Sequence, residues 1–291
     1  MSGALLRDLL HVLVEGARRA VRLRVEGRST ASGAAPVWVE RAAEFEFTGA
    51  EAGSTCIVLE ARSLAEADPE RFNQREFFQE IDPSATGLQL FEDSAEDLLT
   101  GQKDSVKFDD GLIDVVENLR SVLRRGIHSV KLDGRRALRV DAEALDGVGR
   151  LRREIPRDHQ VVVAGKLDQI SHSDRAFRLL LEDGSQLQGL VPEDPDLLKA
   201  LPAFWGNNAV VHGLAKFRPS GRVLRLEATA IEAANGDVRV WAEMPRPLVG
   251  SLDAAQLRVP QGARSGINAI VGQWPGEESD EEIRRALERL S

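Results

Sequence analysis

Val161-Val162-Val163-Ala164-Gly165-Lys166-Leu167-Asp168-Gln169-Ile170, Phe177-Arg178-Leu179-Leu180-Leu181-Glu182 and Gln186-Leu187-Gln188-Gly189-Leu190-Val191 read as three β-strands in succession. Apolar and β-branched residues dominate each run, and the last two are separated by Asp183-Gly184, which supplies the backbone freedom of a tight hairpin turn. A short helix is predicted over 196–201, and a second hairpin pairs 208–217 with 222–231 around Arg218-Pro219-Ser220-Gly221. The pleat gives each strand one apolar face: Val161, Val163 and Leu167; Phe177, Leu179 and Leu181; Leu187 and Val191; Leu224, Leu226 and Ala228. Residues two apart share a face of a strand, so these sets predict a single shared interior.

The order β-β-β-α-β-β over residues 159–234 resembles the OB-fold, a five-stranded Greek-key barrel; an SH3-like barrel with an inserted helix is the nearest alternative. The resemblance implies fold more than function, but it raises nucleic-acid binding as an alternative reading. Lys216, Arg218, Arg222 and Arg225 cluster on the last hairpin, Lys166 and Arg178 can join them, and Phe217 is placed at the hairpin tip as a stacking aromatic. Residues 159–234 nevertheless carry eight basic and nine acidic side chains, which supplies no overall electropositive funnel.

Residues 1–155 are predicted to form a separate α+β domain of unrecognised function. An opening helix over 5–25 places Leu6, Leu9, Leu10, Leu13, Ala17, Ala20 and Val21 on one face and stops at Gly27. A short helical piece over 38–43 leads to a hairpin in which Cys56 is expected mid-strand, and 62–84 has no assignable pattern. Helices are predicted over 86–99 and 111–125, the second burying Leu112, Val115, Val116, Leu119, Val122 and Leu123, and short strands over 129–132 and 137–140 complete this part.

From residue 236 to 273 the proline and glycine content predicts an extended connector, and 274–291 an amphipathic helix. Ser279 and Glu282 have the spacing of a capping box, and Ile283, Ala286, Leu287 and Leu290 form one apolar stripe among Arg284, Arg285, Glu288 and Arg289. A helix this short gains its stability by docking, on its own body or on a partner. The segment Trp274-Pro275-Gly276-Glu277-Glu278-Ser279-Asp280-Glu281-Glu282 resembles the C-terminal segments of bacterial antitoxins that pair with PIN-domain ribonuclease toxins. That resemblance implies a nuclease partner contacted by Trp274, Ile283, Leu287 and Leu290, with Arg284, Arg285 and Arg289 set against its metal-binding carboxylates. A typical small antitoxin begins with a compact DNA-binding domain, and this chain does not.

The composition narrows the remaining classes. With 291 residues and 42% hydrophobic content the chain is long enough for two packed cores, and a net charge of −9 restricts any nucleic-acid or anionic-membrane contact to a local patch. A single cysteine, Cys56, excludes an internal disulfide and any cysteine-rich metal site, and points to a reducing, cytoplasmic compartment. Charged residues interrupt the first helix at Arg7, Asp8, Glu15, Arg18 and Arg19, so it reads neither as a signal peptide nor as a membrane span. Absent tyrosine and an excess of arginine over lysine are associated with GC-rich bacterial coding.

No catalytic set is legible. The five histidines, His11, His128, His159, His172 and His212, fall on separate elements without zinc-ligand spacing, and Gly147-Val148-Gly149 lacks the rest of a dinucleotide fingerprint. Asp109-Asp110, and Asp93 with Glu96 and Asp97, read as helix caps and solvated faces rather than metal ligands. The sequence therefore predicts an α+β protein with an OB-like barrel and a C-terminal amphipathic helix. It is read as a non-enzymatic, antitoxin-like binding protein without cofactor, metal or membrane contact. Nucleic-acid binding, and an enzyme with a site dispersed over the N-terminal domain, are the alternatives.

Overall fold

The computed structural model describes residues 2–31, 34–51, 56–73, 81–171, 175–191, 194–234, 238, 241–248 and 279. The chain divides into two units, Met1–Ser251 and Leu252–Ser291. All but Ser279 of the second unit, including Trp274 and the stripe from Ile283 to Leu290, lies outside the described residues.

The first unit is an α+β structure with two hydrophobic cores. Helix α1 (Gly3–Glu26) begins at Ser2, whose hydroxyl accepts from the Leu5 N–H at 3.3 Å, and ends at Gly27 in the left-handed region, φ 73°. Its buried face holds Leu13, Ala17, Ala20 and Val21 as expected, with Leu5 and Val12 inside in place of the half-buried Leu6, Leu9 and Leu10. Helix α2 (Val37–Ala43) leads into the antiparallel hairpin β1 (Phe45–Glu51) and β2 (Cys56–Ala61). Cys56 opens β2 and is half-buried, rather than lying mid-strand.

The stretch 62–84 contains two short helices, α3 (Leu64–Ala67) and α4 (Pro69–Asn73). A capping box starts α3, with Ser63 and Glu66 satisfying each other's backbone N–H groups, and Leu64 and Ala67 are buried. Helix α5 (Gly87–Leu99) has the same device in Thr86 and Gln89. It packs closely on α1, because a Cβ on Gly16 would stand inside the ring of Phe91.

Asp109 caps α6 (Asp110–Leu123), which buries Leu112, Val115, Val116, Leu119 and Val122 as its spacing predicts. Strands β3 (Val130–Asp133) and β4 (Ala137–Val140) form a second hairpin. The sequence reading missed α7 (Ala142–Glu154), capped by Asp141 and burying Leu145, Val148 and Leu151. Gly147 and Gly149 each weaken a helix by about 1 kcal/mol, and packing of that stripe on α6 overrides the cost.

The second core lies inside a five-stranded sheet: β5 (His159–Ser171), β6 (Ala176–Leu180), β7 (Gln186–Leu190), β8 (Asn208–Phe217) and β9 (Val223–Ala233). Helix α8 (Pro195–Ala200) and a 3-10 turn, Leu201–Phe204, separate β7 from β8. Hydrogen-bonded neighbours run β5-β6-β7-β9-β8 and return to β5, so the sheet closes on itself. All pairings are antiparallel except β7 with β9, which run parallel through Gly189↔Leu226 and Leu190↔Glu227. Gly189 stands opposite Phe177, whose ring fills the space a Cβ would take. One face assignment differs from the sequence reading: Val223 is in the core and Leu224 half-buried outside it. The register slips there, with Lys216 opposite Arg225 and Phe217 opposite Val223, so one extra residue flips the alternation.

Glu92 is a local conflict in this fold. It is 8% exposed, its Oε2 has no hydrogen-bond partner, and its carboxylate occupies the space a Cβ would take at Gly134 in the β3–β4 turn. Burial raises its pKa above the ordinary 4.5, opposed by the Arg135 backbone N–H. A raised folded-state value means that the folded protein holds the proton more tightly, so this contribution is full below 4.5 and is lost as pH rises through the folded value. Glu92→Gln keeps an acceptor and removes the charge. It should stabilise the protein by about 1 kcal/mol at pH 7. Urea midpoints measured across pH should show that gain shrinking to nothing in acid.

Candidate functional site

The barrel packs against the helical body through a polar seam. Asp109 Oδ1 accepts from the Leu112 N–H at 3.4 Å, capping α6, while Oδ2 accepts from the Ser29 N–H at 3.1 Å and from Arg225 Nη1 at 3.2 Å. The side chains of Arg225 and Asp109 are 9% and 7% exposed. Arg225 Nε donates to Glu227 at 3.0 Å, and Lys216 Nζ pairs with Asp158 at 2.5 Å. Asp110, exposed at the rim beside Asp109 and Asp158, has its pKa raised by partial desolvation first and by those carboxylates second. This ionisable cluster encloses only about 20 Å³, room for a single water, and its members are spent on one another.

The hairpin expected to offer a nucleic-acid surface is thereby turned largely inward. Phe217 is not at an exposed tip: it is 3% exposed, in the barrel core, with His159 stacked on it at 5.2 Å between ring centroids. Arg225 is buried at the seam and Lys216 is paired, so neither is presented to a strand. Arg225 keeps the outward face that strand alternation gives it beside core Leu226, and the helical body covers that face here, which no local pattern records. Arg218 and Arg222 differ. They flank the turn 218–222, which is pinned to the loop after α5 by Ser220 N–H to Lys103 O at 3.2 Å and Arg218 Nη1 to Asp104 O at 2.9 Å.

Beside this turn a groove of about 1540 Å³ opens between barrel and helical body. Its barrel wall is the outward face of β6 and β7, where Arg178 stands opposite Gln188, together with the turn 218–222. Its other wall is the end of α1, including Leu23, Arg24 and Gly27, and residues 243–246 run along it. Gly27 fits here because a side chain would meet Leu190 and Gln188 on β7, and its φ of 73° is costly for other residues. Among the described residues, the charged lining of the groove is Arg24, Arg178, Arg218, Arg222 and Arg246 against Asp183 and Glu243, a positive balance on a chain of net charge −9. The sequence reading had named Arg178, Arg218 and Arg222; Arg24 escaped it because α1 and the barrel are far apart in sequence, and Arg246 because it lies in the stretch read as connector.

Burial lowers the pKa of Arg24, which Asp93 and Asp97 partly offset, and it lowers that of Arg218, with Asp104 opposing and Arg222 adding to the shift. No group of three or more potential metal ligands occurs among the described residues. Among those residues no helix is long and apolar enough to cross a membrane. Compared with family models, curated proteins and solved structures, the chain matches none.

Asp109→Ala should be among the most damaging single changes in the unit. It leaves Arg225 buried without its partner, removes the α6 cap and orphans the Ser29 N–H, for a loss of about 3 to 5 kcal/mol. Asp109→Asn, which keeps one acceptor oxygen, should cost clearly less. Chemical denaturation of the two variants with Arg225→Met and the Asp109→Ala/Arg225→Met double variant measures the coupling: the double variant should lose less than the sum of the two single losses, by more than about 1 kcal/mol.

Proposed function

We propose that the barrel is an OB-fold and that the protein is a binding protein whose ligand is single-stranded nucleic acid, held in the groove by its phosphates. The observation that carries this reading is the position of the groove: it lies over the second and third barrel strands and the turn between the fourth and fifth, the surface through which OB-folds take extended ligands. The strand circuit and the parallel pairing of the third and fifth strands support the fold assignment. Five arginines against two acidic side chains among the described residues of the groove support a polyanion.

Among the described residues no aromatic lines the groove, Phe177 and Phe217 being inside the barrel and the exposed Trp205 outside that lining, so binding there rests on phosphate contacts and is tolerant of sequence. Fluorescence anisotropy with a labelled oligothymidylate should give an affinity that falls linearly on log-log axes as salt rises. Arg178→Ala/Arg222→Ala should weaken it about tenfold or more for every base composition. No binding at low salt removes the reading.

A second reading concerns the tail. The antitoxin-like segment 274–291 lies within Leu252–Ser291, which separates from the first unit, and it supports capture of a PIN-domain ribonuclease. A Leu or Ile buried in a partner groove contributes roughly 1.5 to 3 kcal/mol. In a pull-down with such a nuclease, Leu287→Asp should abolish capture, while replacing Arg284, Arg285 and Arg289 with Ala should restore RNA cleavage more than it weakens the complex. Retention of the partner by Leu287→Asp sinks this reading.

A further inference from the structure

Arginine side chains elsewhere in the unit show what this chain normally does with a guanidinium edge. Arg7 turns Nε and Nη2 onto Asp8 at 3.0 and 2.7 Å, and Arg18 turns the same pair onto Glu40 at 3.2 and 2.7 Å. Arg24 departs from this pattern. Its Nε and Nη2 are shielded from water and have no hydrogen-bond partner, yet the residue lines the groove. Asp93 and Asp97 act on its charge only from a distance, and its place in the last turn of α1 suits the helix dipole, but neither fills the edge. On the barrel wall of the same groove, Arg218 repeats the condition: Nη1 is spent on Asp104 O, and Nε is buried without a partner.

A buried donor without an acceptor costs free energy, and a charged one costs more. Two such donors on opposing walls of one groove are poor choices for stability alone. Arg24 leaves two N–H groups of its guanidinium without an acceptor and Arg218 leaves its Nε, and such groups grip the oxygens of a phosphate.

We propose that Arg24 and Arg218 are two phosphate-binding side chains, one supplied by the helical body and one by the barrel, that turn their shielded N–H groups out to the ligand, so that its backbone is clamped between the two halves of Met1–Ser251. The proposal rests on the nucleic-acid reading of the groove and assigns the helical body a direct part in it. The ligand satisfies the empty edges, and the body is thereby a wall of the site rather than a support for the barrel.

The test uses the full chain with Arg24→Met and Arg218→Met, and two probes: an oligothymidylate, and inorganic pyrophosphate as a phosphate source without a nucleic-acid chain. Arg24→Met should raise the unfolding midpoint of the free protein, because a desolvated charge is gone, and should lower oligonucleotide affinity about tenfold. It should also make the slope of log affinity against log salt shallower by about 0.7. Pyrophosphate should stabilise the wild type against heat and leave Arg24→Met less stabilised. If the wild type binds the oligonucleotide and Arg24→Met binds it equally well with the same salt slope, the clamp is wrong while the barrel reading stands. If the wild type binds no oligonucleotide but pyrophosphate still discriminates the variants, the phosphate positions stand and the nucleic-acid reading falls. A lower unfolding midpoint in Arg24→Met with unchanged affinity makes Arg24 a structural residue and overturns the proposal.

Discussion

One carboxylate, Asp109, holds this protein's two halves in register. It receives the first turn of α6, the chain leaving α1 at Ser29 and the guanidinium of Arg225 from β9. Each donor comes from a different part of the sequence, so helix, loop and barrel can all be satisfied only in one arrangement. A buried ion pair is not in itself a source of stability, because desolvating both charges offsets most of their attraction. What it confers here is direction: an apolar seam would tolerate sliding, and this one leaves a buried charge unpaired if the barrel shifts.

The groove follows from that fixed docking. With Arg225 held at Asp109 and the 218–222 turn held at Lys103 and Asp104, the outward face of β6 and β7 stands opposite the end of α1 without filling the space between them. Gly27 lets α1 end directly against Leu190, and arginines line both walls of the groove. An acidic protein that concentrates positive charge in one recess gains selectivity, since the remaining surface repels the same ligands that the recess attracts.

Much of this architecture is written locally. The strands of the barrel, the Asp183-Gly184 turn, the capping of α5 and the stripe of α6 follow from period, turn chemistry and caps, and they stand within a few residues of their sequence-based positions. The omissions have physical causes. Helix α7 carries two glycines, and its three buried residues declare themselves only against α6. Leu224 leaves the core because a bulge adds one residue to β9, and sequence period has no means of locating it; Phe217 keeps the period of two with Val211 and Ala215 on β8, so its burial is legible in that strand's own alternation. Arg24 and Arg225 acquire their roles from residues some hundred or more positions away, which no local pattern records. The tail, by contrast, is known through its sequence alone.

Among the described residues the barrel's one parallel contact, between β7 and β9, consists of two residue pairs and joins the third strand to the last. During synthesis the ribosome emits β5 through β8 first, and the circuit stays open, with an unpaired edge on β7, until β9 emerges. The same late strand brings Arg225 to Asp109, which has waited since the helical body was made. Closure of the circuit and the Arg225–Asp109 pair therefore both wait for β9, and a chain arrested before it carries an exposed strand edge together with an Asp109 that lacks its guanidinium, a combination that quality-control proteases and chaperones meet as an unfinished protein.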